Sequence, residues 1–545
     1  MVRKPGREAP IFSIGARRSP GSAIENVLNG PLIGNKRWWG MSAAYQSGLK
    51  LSSQGRHVEA IAQFEQALAQ DPADTRVLFA LGNTASRLGL AGAAEQFFRQ
   101  VLALEPARLE AIVNLADLLR ANAQFDAAIA LLQPVLAHEP QNPELLLTLG
   151  TAVREKGDFR QARMHYEAAL AARPNYAPAL ANLADMVSDA GDRDHARTLY
   201  DQAVKADPKN PQIRLNRAVL HLLNGDLKQG WRDYAARTDV PGKVPVPAGE
   251  QRLASWTGGP LKRIRLLVRA EQGVGDQILF ASLIPGLAAR AKAEGGSVIL
   301  ECEPRLAPLF ARSFPDVTVR PAVIKTLGGV PTADYGWLKA AGGANAAVLM
   351  GSLPKYLRGA LEDFPKPHTF LMPDAQERAH WRSIFEAEAG TRKIIGISWR
   401  SGKVAGGERM LQYAPLNDWA QFIKATDATF VCAQYAAADE EIAALQEMSG
   451  RKILVPEKLD QKNELDRTCA MLAALDVVIS APTAVSWLAA GAGVPTLKIL
   501  TSPVWTAMGQ SHEPFAPACF CLSADKFGDW ADVFRQVDAA IKALP

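Results

Sequence analysis

The sequence predicts an α-solenoid followed by an α/β region built on parallel sheets, and three observations carry that reading. Proline recurs every 34 residues, at Pro72, Pro106, Pro140, Pro174 and Pro208. Beyond about residue 260, short β-rich apolar runs alternate with helical stretches. The composition, 48% hydrophobic and 21% charged, is that of a globular chain. At 545 residues the chain exceeds one ordinary core, and a norm of roughly 100–200 residues per domain gives about three units.

The charge balance excludes a generally basic, nucleic-acid-coating protein. The formal net charge is +5, and residues 1–37 hold seven Lys/Arg against two Glu, which is the whole excess. That segment carries Pro, Gly and Ser throughout and lacks the apolar stretch of a secretory signal, so residues 1–40 are expected to be a basic disordered tail and the protein to be cytoplasmic. No apolar run is long enough to span a bilayer. Five cysteines without a C-x-x-C pair indicate neither a disulfide framework nor a zinc site.

Three further tracks share the proline period. Ala60, Ala94, Ala128, Ala162 and Ala196 form one; Phe64, Phe98, Leu132, Tyr166 and Tyr200 form the second. Gly48, Gly82, Ala116, Gly150, Ala184 and Ala218 form the third, and Gly55, Gly89, Gly157, Gly191 and Gly225 mark turns. Small residues let paired helices approach, the large residue fills the gap, and proline ends the second helix. These positions resemble the tetratricopeptide repeat, with five full repeats over 41–210 and a degenerate sixth, so that 41–244 is the repeat region. The resemblance implies a polypeptide partner. Asn114, Asn182 and Asn216 share the sixth repeat position. An amide there can bond both N–H and C=O of an extended peptide, or sit solvated on a groove face. In the O-GlcNAc transferases, which this fusion resembles, an asparagine ladder binds the acceptor.

After Trp231 the repeat dissolves into a Pro/Gly-rich linker, expected over 245–260. Then "RIRLLVRA", "SVILEC", "KIIGISWR", "ATFVCAQY", "DVVISAPT" and "VPTLKIL" read as strands, separated by helical segments such as "PLNDWAQFIKAT" and "ELDRTCAMLAAL". "DQILFASLIPGLAARAKAEG" reads as a helix that Pro285 should kink. The stretches "AEQGVGDQILFASLIPGLAARA", "IIGISWRSGK", "FVCAQY" and "LAALDVVISAPTAVSWLAAGAGVPTL", in that order, resemble the heptosyltransferase-like glycosyltransferase domain found fused to tetratricopeptide repeats in bacteria, some of which modify flagellin. The resemblance implies a GT-B fold with two Rossmann-like subdomains, 261–390 and a donor-binding 391–545.

The turn Gln272, Gly273, Gly275, Asp276 follows the first of these strands. It is no dinucleotide fingerprint, because Ile278 stands where the third glycine is needed, and no P-loop lysine follows. A carboxylate at the carboxyl end of a parallel strand can serve as a general base or cap its helix. The resemblance implies the first role for Asp276. It further implies a nucleotide-sugar site at Arg400, Ser401, Lys403 and Arg409, at Gln434 beside the base, and at Thr483 and Ala484 under the phosphates, where a helix start offers N–H groups. Pro482 and Trp487 stand where the family has Asp and His. His512 is a further cleft candidate.

The expected activity is an inverting, metal-independent glycosyltransferase that moves a sugar from a nucleotide-sugar donor to Ser or Thr of a polypeptide held by the repeats, with no cofactor. The catalytic half contains no Asp-x-Asp to hold a cation. The alternatives are a non-catalytic adaptor with a degenerate transferase domain and a surface-glycan glycosyltransferase.

Overall fold

The computed structural model describes residues 42–240, 244–247, 253–327, 330–365, 369–402, 412–436 and 439–544. The basic tail lies outside them. The chain divides into two units, residues 1–121 and 122–545.

The first unit holds α1 (Ala43–Ser53), α2 (His57–Leu68), α3 (Thr75–Arg87), α4 (Ala91–Leu104) and α5 (Leu109–Ala121). The side chains of Ser42 and Asp74 cap α1 and α3 by accepting from the N–H groups of Tyr45 and Arg76. Small and large tracks meet as the period requires. A Cβ on Gly82 would sit 2.6 Å from Phe98 Cε1, so only glycine allows α3 and α4 to close over that ring. Phe64, Phe97 and Phe98 are buried as a result.

In the second unit the repeats continue as α6 (Phe125–His138), α7 (Pro143–Lys156), α8 (Phe159–Ala172), α9 (Ala177–Asp189), α10 (Arg193–Ala206), α11 (Pro211–Leu223) and α12 (Leu227–Tyr234). Tyr166 and Tyr200 fill the large-residue positions and are buried. The inter-helix turns use left-handed glycines, among them Gly157 at φ 104° and Gly191 at φ 92°. The third repeat places Ala123 at that position, with φ 59°. A Cβ in this conformation costs about 1–2 kcal/mol, so Ala123→Gly is expected to stabilise this unit by about 1 kcal/mol. Urea denaturation checks it; an unchanged or lower midpoint refutes the strain.

The α/β region follows in the same unit. A five-stranded, all-parallel sheet runs β2-β8-β3-β4-β5, from β2 (Ala254–Ser255), β3 (Arg265–Arg269), β4 (Ser297–Cys302), β5 (Thr318–Pro321) and β8 (Ala346–Leu349). A small sheet orders β1 (Val246–Pro247), β7 (Val330–Ala333) and β6 (Ile324–Leu327). Thus the segment expected as a linker, 245–260, contributes strands to both. The helix after β3 is split into α13 (Val274–Ala281) and α14 (Ile284–Glu294), with Pro285 in the first turn of α14, where its missing N–H costs nothing. Helices α15 (Ala307–Ser313), α16 (Leu353–Leu357) and α17 (Ala375–Ala389) complete this part of the chain.

A seven-stranded sheet forms the second subdomain in the order β11-β10-β9-β12-β13-β15-β14. Its strands are β9 (Lys393–Ser398), β10 (Ala428–Cys432), β11 (Ile453–Leu454), β12 (Val477–Ser480), β13 (Thr496–Leu500), β14 (His512–Glu513) and β15 (Ala516–Ser523). All pairs are parallel except β14 with β15. Its helices are α18 (Leu416–Ala425), α19 (Asp439–Ser449), α20 (Leu465–Leu472), α21 (Ala484–Gly491) and α22 (Trp530–Ala543), of which α21 packs on β12, β13 and β15 and α22 on β13 and β15.

The strand orders reverse direction between β3 and β8 in one sheet and between β9 and β12 in the other. Crevices open at such points, beyond the carboxyl ends of the strands. One buried cluster joins Leu222, Leu227 and Trp231 of the sixth repeat to Leu279 and Phe280 of α13 and to Leu488 and Phe515 of the second subdomain. The Trp231 ring lies edge-on to Tyr234, Trp505 and Phe515 at centroid distances of 5.6, 6.2 and 6.3 Å. Among the described residues no helix is long and apolar enough to cross a membrane.

Candidate functional site

The turn after β3 is held by charges the protein has buried. Glu271 is fully buried and takes Arg237 of the sixth repeat through both oxygens, at 2.6 and 3.0 Å. Its Oε1 also accepts the Gly351 N–H at 2.8 Å, and Arg237 Nη2 donates to Ser352 Oγ at 2.8 Å. The crevice between β3 and β8 is thereby tied to the repeats. Gln272 follows in the left-handed region, φ 60°, a strain of about 1–3 kcal/mol that surrounding contacts must hold. One such contact is Tyr234, whose hydroxyl donates to Gln272 Oε1 at 3.1 Å. Burial pushes the Tyr234 hydroxyl well above the usual phenol range, so it stays a donor at neutral pH.

Asp276 stands in the first turn of α13, and its Oδ2 accepts the Gly273 N–H at 3.2 Å, so the capping contact is present. The same residue lines a cavity of about 240 Å³ whose other walls include Leu215, Tyr234 and Arg237 from the repeat side and Gln272 and Gly273 from the turn. Gly275 points the other way. A Cβ there would be 3.6 Å from Trp487 Cδ1 and 3.9 Å from Ala484 Cβ, which brings the start of α13 against the start of α21. The turn therefore touches the second subdomain through Gly275 and looks toward the sixth repeat through Asp276. A larger cavity, about 640 Å³, runs along the first sheet past Trp256, Arg269 and Tyr356, and contains no residue singled out by sequence.

The residues expected to meet the donor gather beyond β9, β10 and β12. Arg400 follows β9, but its guanidinium is paired with Glu441 at 2.5 and 2.6 Å. Ser401 Oγ lies 3.2 Å from Tyr435 OH. Gln434 is buried, its Oε1 accepting the N–H groups of Trp399 and Arg400, both at 2.9 Å, while its Nε2 donates to Tyr435 O. Its amide thus fixes the chain ends after β9 and β10. Thr483 caps α21, its Oγ1 accepting from Val485 N at 3.4 Å, and Ala484 opens the helix. Lys403 and Arg409 lie outside the described residues.

Trp487 is a core residue, 8% exposed, and the Lys498 ammonium sits 3.7 Å from its ring centroid. Lys498 is buried and paired with buried Glu513 at 2.5 Å, to which Thr506 also donates. Sequence reasoning missed this pair. The signal was present: a lone lysine inside the apolar run "VPTLKIL", on a strand covered on both faces, demands a carboxylate partner. His512 lines a separate cavity of about 470 Å³ with Phe364 and Phe520.

The expected asparagine ladder is half-buried. In the first unit Asn114 Nδ2 donates to Asn83 Oδ1 at 2.7 Å. In the second, Asn182 Nδ2 donates to Thr151 Oγ1 at 3.2 Å, and Asn216 Oδ1 accepts from Gln212 Nε2 at 2.7 Å. Asn182 and Asn216 also hydrogen-bond the buried hydroxyls of Tyr166 and Tyr200.

Fold and site together define a tetratricopeptide repeat protein carrying a two-subdomain α/β region with parallel sheets. Two tetratricopeptide repeat family models match, one at residues 87–151 and the other at 45–108, 147–187 and 182–237. The chain is similar to Protein FlbA of Caulobacter vibrioides, 31% identical over 326 residues, which are 60% of this chain and 54% of that protein. It therefore spans about half the length of that relative. Among solved structures it is similar to a thermophilic TPR protein of Thermus thermophilus, with 24% identity, 33% of this chain, 97% of that chain and a TM-score of 0.30. PilW, a type IV pilus biogenesis factor, shows 20% identity, 36% and 91% coverage and a TM-score of 0.31.

Proposed function

We propose that the chain is an inverting protein glycosyltransferase of GT-B arrangement, working in the cytoplasm. One observation carries this reading: each parallel sheet presents one half of the expected site at its own switch point. Asp276 lies beyond β3 beside β8, and Arg400 and Thr483 lie beyond β9 and β12. A Ser or Thr hydroxyl of the acceptor attacks the anomeric carbon of the sugar on the face opposite the nucleotide. The new C–O bond forms as the bond to the phosphate oxygen breaks, and its electron pair leaves with the nucleotide. Asp276 takes the hydroxyl proton. The N–H groups opening α21 and the cations of the loop after β9 stabilise the departing phosphate. Asn114, Asn182 and Asn216 hold the acceptor backbone, and flagellin, modified by some fusions of this kind, is the first acceptor to test.

Thermal shift with UDP-, GDP-, ADP- and CMP-sugars tests the donor half. A nucleotide sugar at about 100 times its Kd stabilises the native state by about 2.7 kcal/mol, a visible rise in Tm. No shift with any of the four, together with no transfer to flagellin, rejects the reading.

The second reading, a scaffold with an inactive transferase half, has its own support. Arg400 is already paired with Glu441 and donates to Ser401 O and Ala436 O, and Gly275 packs directly on the helix that would carry the phosphates. It predicts flagellin binding by the repeats with no nucleotide-sugar response.

A further inference from the structure

We infer that the sixth repeat is a wall of the acceptor pocket, and that Leu215 is a residue that determines which acceptor hydroxyl reaches Asp276. The inference rests on the glycosyltransferase reading and deepens it. The cavity beside Asp276 is lined from one side by Glu271, Gln272 and Gly273 and from the other by Leu215, Tyr234 and Arg237. No residue of the seven-stranded sheet or its loops lines it among the described residues. The donor residues therefore approach the turn from the Gly275 side, and the Asp276 side is left to the acceptor.

The repeat side of the pocket is fixed rather than tethered. Arg237 is anchored by the buried Glu271, Tyr234 by Gln272, and Trp231 and Leu222 share a core with α13. Of the apolar wall residues, Leu215 packs only partly into that core and Val244 beside it is half-buried; Leu215 stands on α11, so it presents the adjustable surface of fixed position. Asn216, the last amide expected to hold an acceptor backbone, follows it directly on α11. A cavity of about 240 Å³ is below the usual size of a small-molecule ligand site and suits a single side chain, so bulk added there acts on the acceptor.

The test uses the full chain, purified flagellin as acceptor and whichever of the four nucleotide sugars gives the largest thermal shift. Leu215→Trp is expected to raise the KM for flagellin by about tenfold or more, as added bulk in a fitted pocket does. Its donor thermal shift and donor hydrolysis without acceptor stay at the wild-type values. Leu215→Met, which conserves volume, is expected to transfer within about twofold of wild type. Wild-type KM in Leu215→Trp overturns the inference, and so does a parallel loss of acceptor transfer and donor hydrolysis. A wild-type chain that transfers nothing overturns the glycosyltransferase reading itself, and the inference with it.

Discussion

Replacing Asp276 by asparagine is expected to lower kcat for sugar transfer by about 10²–10⁴-fold, the range over which a positioned general base acts. The substitution keeps the shape of the side chain and an oxygen that can accept the Gly273 N–H, a contact now made at 3.2 Å. What it removes is the ability to take a proton, along with a charge at a helix start that contributes about 0.3–1 kcal/mol. The two roles open for this carboxylate therefore separate in one experiment. A base loses turnover while the donor thermal shift and the acceptor KM hold and Tm falls only by the lost helix-start charge. A cap loses a little stability and no turnover. Asp276→Ala sharpens the contrast, since it also removes the capping oxygen, at about 0.5–2 kcal/mol. Full transfer by Asp276→Asn would remove the residue from the chemistry.

Much of the fold could be read from the sequence because it rests on local, repeated rules. A 34-residue period with glycine facing an aromatic can only be satisfied by closely paired helices, and Gly82 against Phe98 is that contact. The strand readings held for the same reason: "RIRLLVRA" and "KIIGISWR" are apolar runs covered on both faces, with Val268 and Ile397 fully buried. Less legible were features made by residues distant in the chain. Arg237 and Glu271 are 34 residues apart, and neither carries a local pattern announcing the other. The same holds for Lys498 and Glu513, which meet because β13 and β14 both neighbour β15. The positions of the expected donor residues after their strands were legible, and the partners of their polar groups were not. Arg400 and Gln434 stand beyond the strands where sequence put them, yet their polar atoms bond within the protein, to Glu441 and to the backbone of Trp399 and Arg400. Nor could a Pro/Gly-rich segment reveal that Ala254 and Ser255 pair with β8, because two-residue strands have no periodicity to read.

Glu271→Ala is expected to destabilise the second unit by about 3–5 kcal/mol, the cost of leaving a buried charge without its partner. The Arg237 side chain is 4% exposed and that of Glu271 0%, so water cannot replace the lost carboxylate. The damage extends further, because Glu271 also accepts the Gly351 N–H, a buried backbone donor that the alanine strands. Both losses fall at the crevice between β3 and β8, next to strained Gln272, which depends on its neighbours to hold φ 60°. Urea denaturation followed by tryptophan fluorescence reads the effect, and a loss below about 1 kcal/mol would mean that the pair is far better hydrated than its burial indicates. A paired replacement, Arg237→Met with Glu271→Leu, removes both charges together. It is expected to recover the part lost to the unpaired charge, since apolar groups of similar volume pack where the ions stood, while the Gly351 N–H stays without its acceptor and keeps a deficit of about 1–3 kcal/mol. It is not expected to recover transfer. The ion pair sets the position of Gln272 against Tyr234, and with it the turn that aims Asp276, so stability and turnover should part company in that variant.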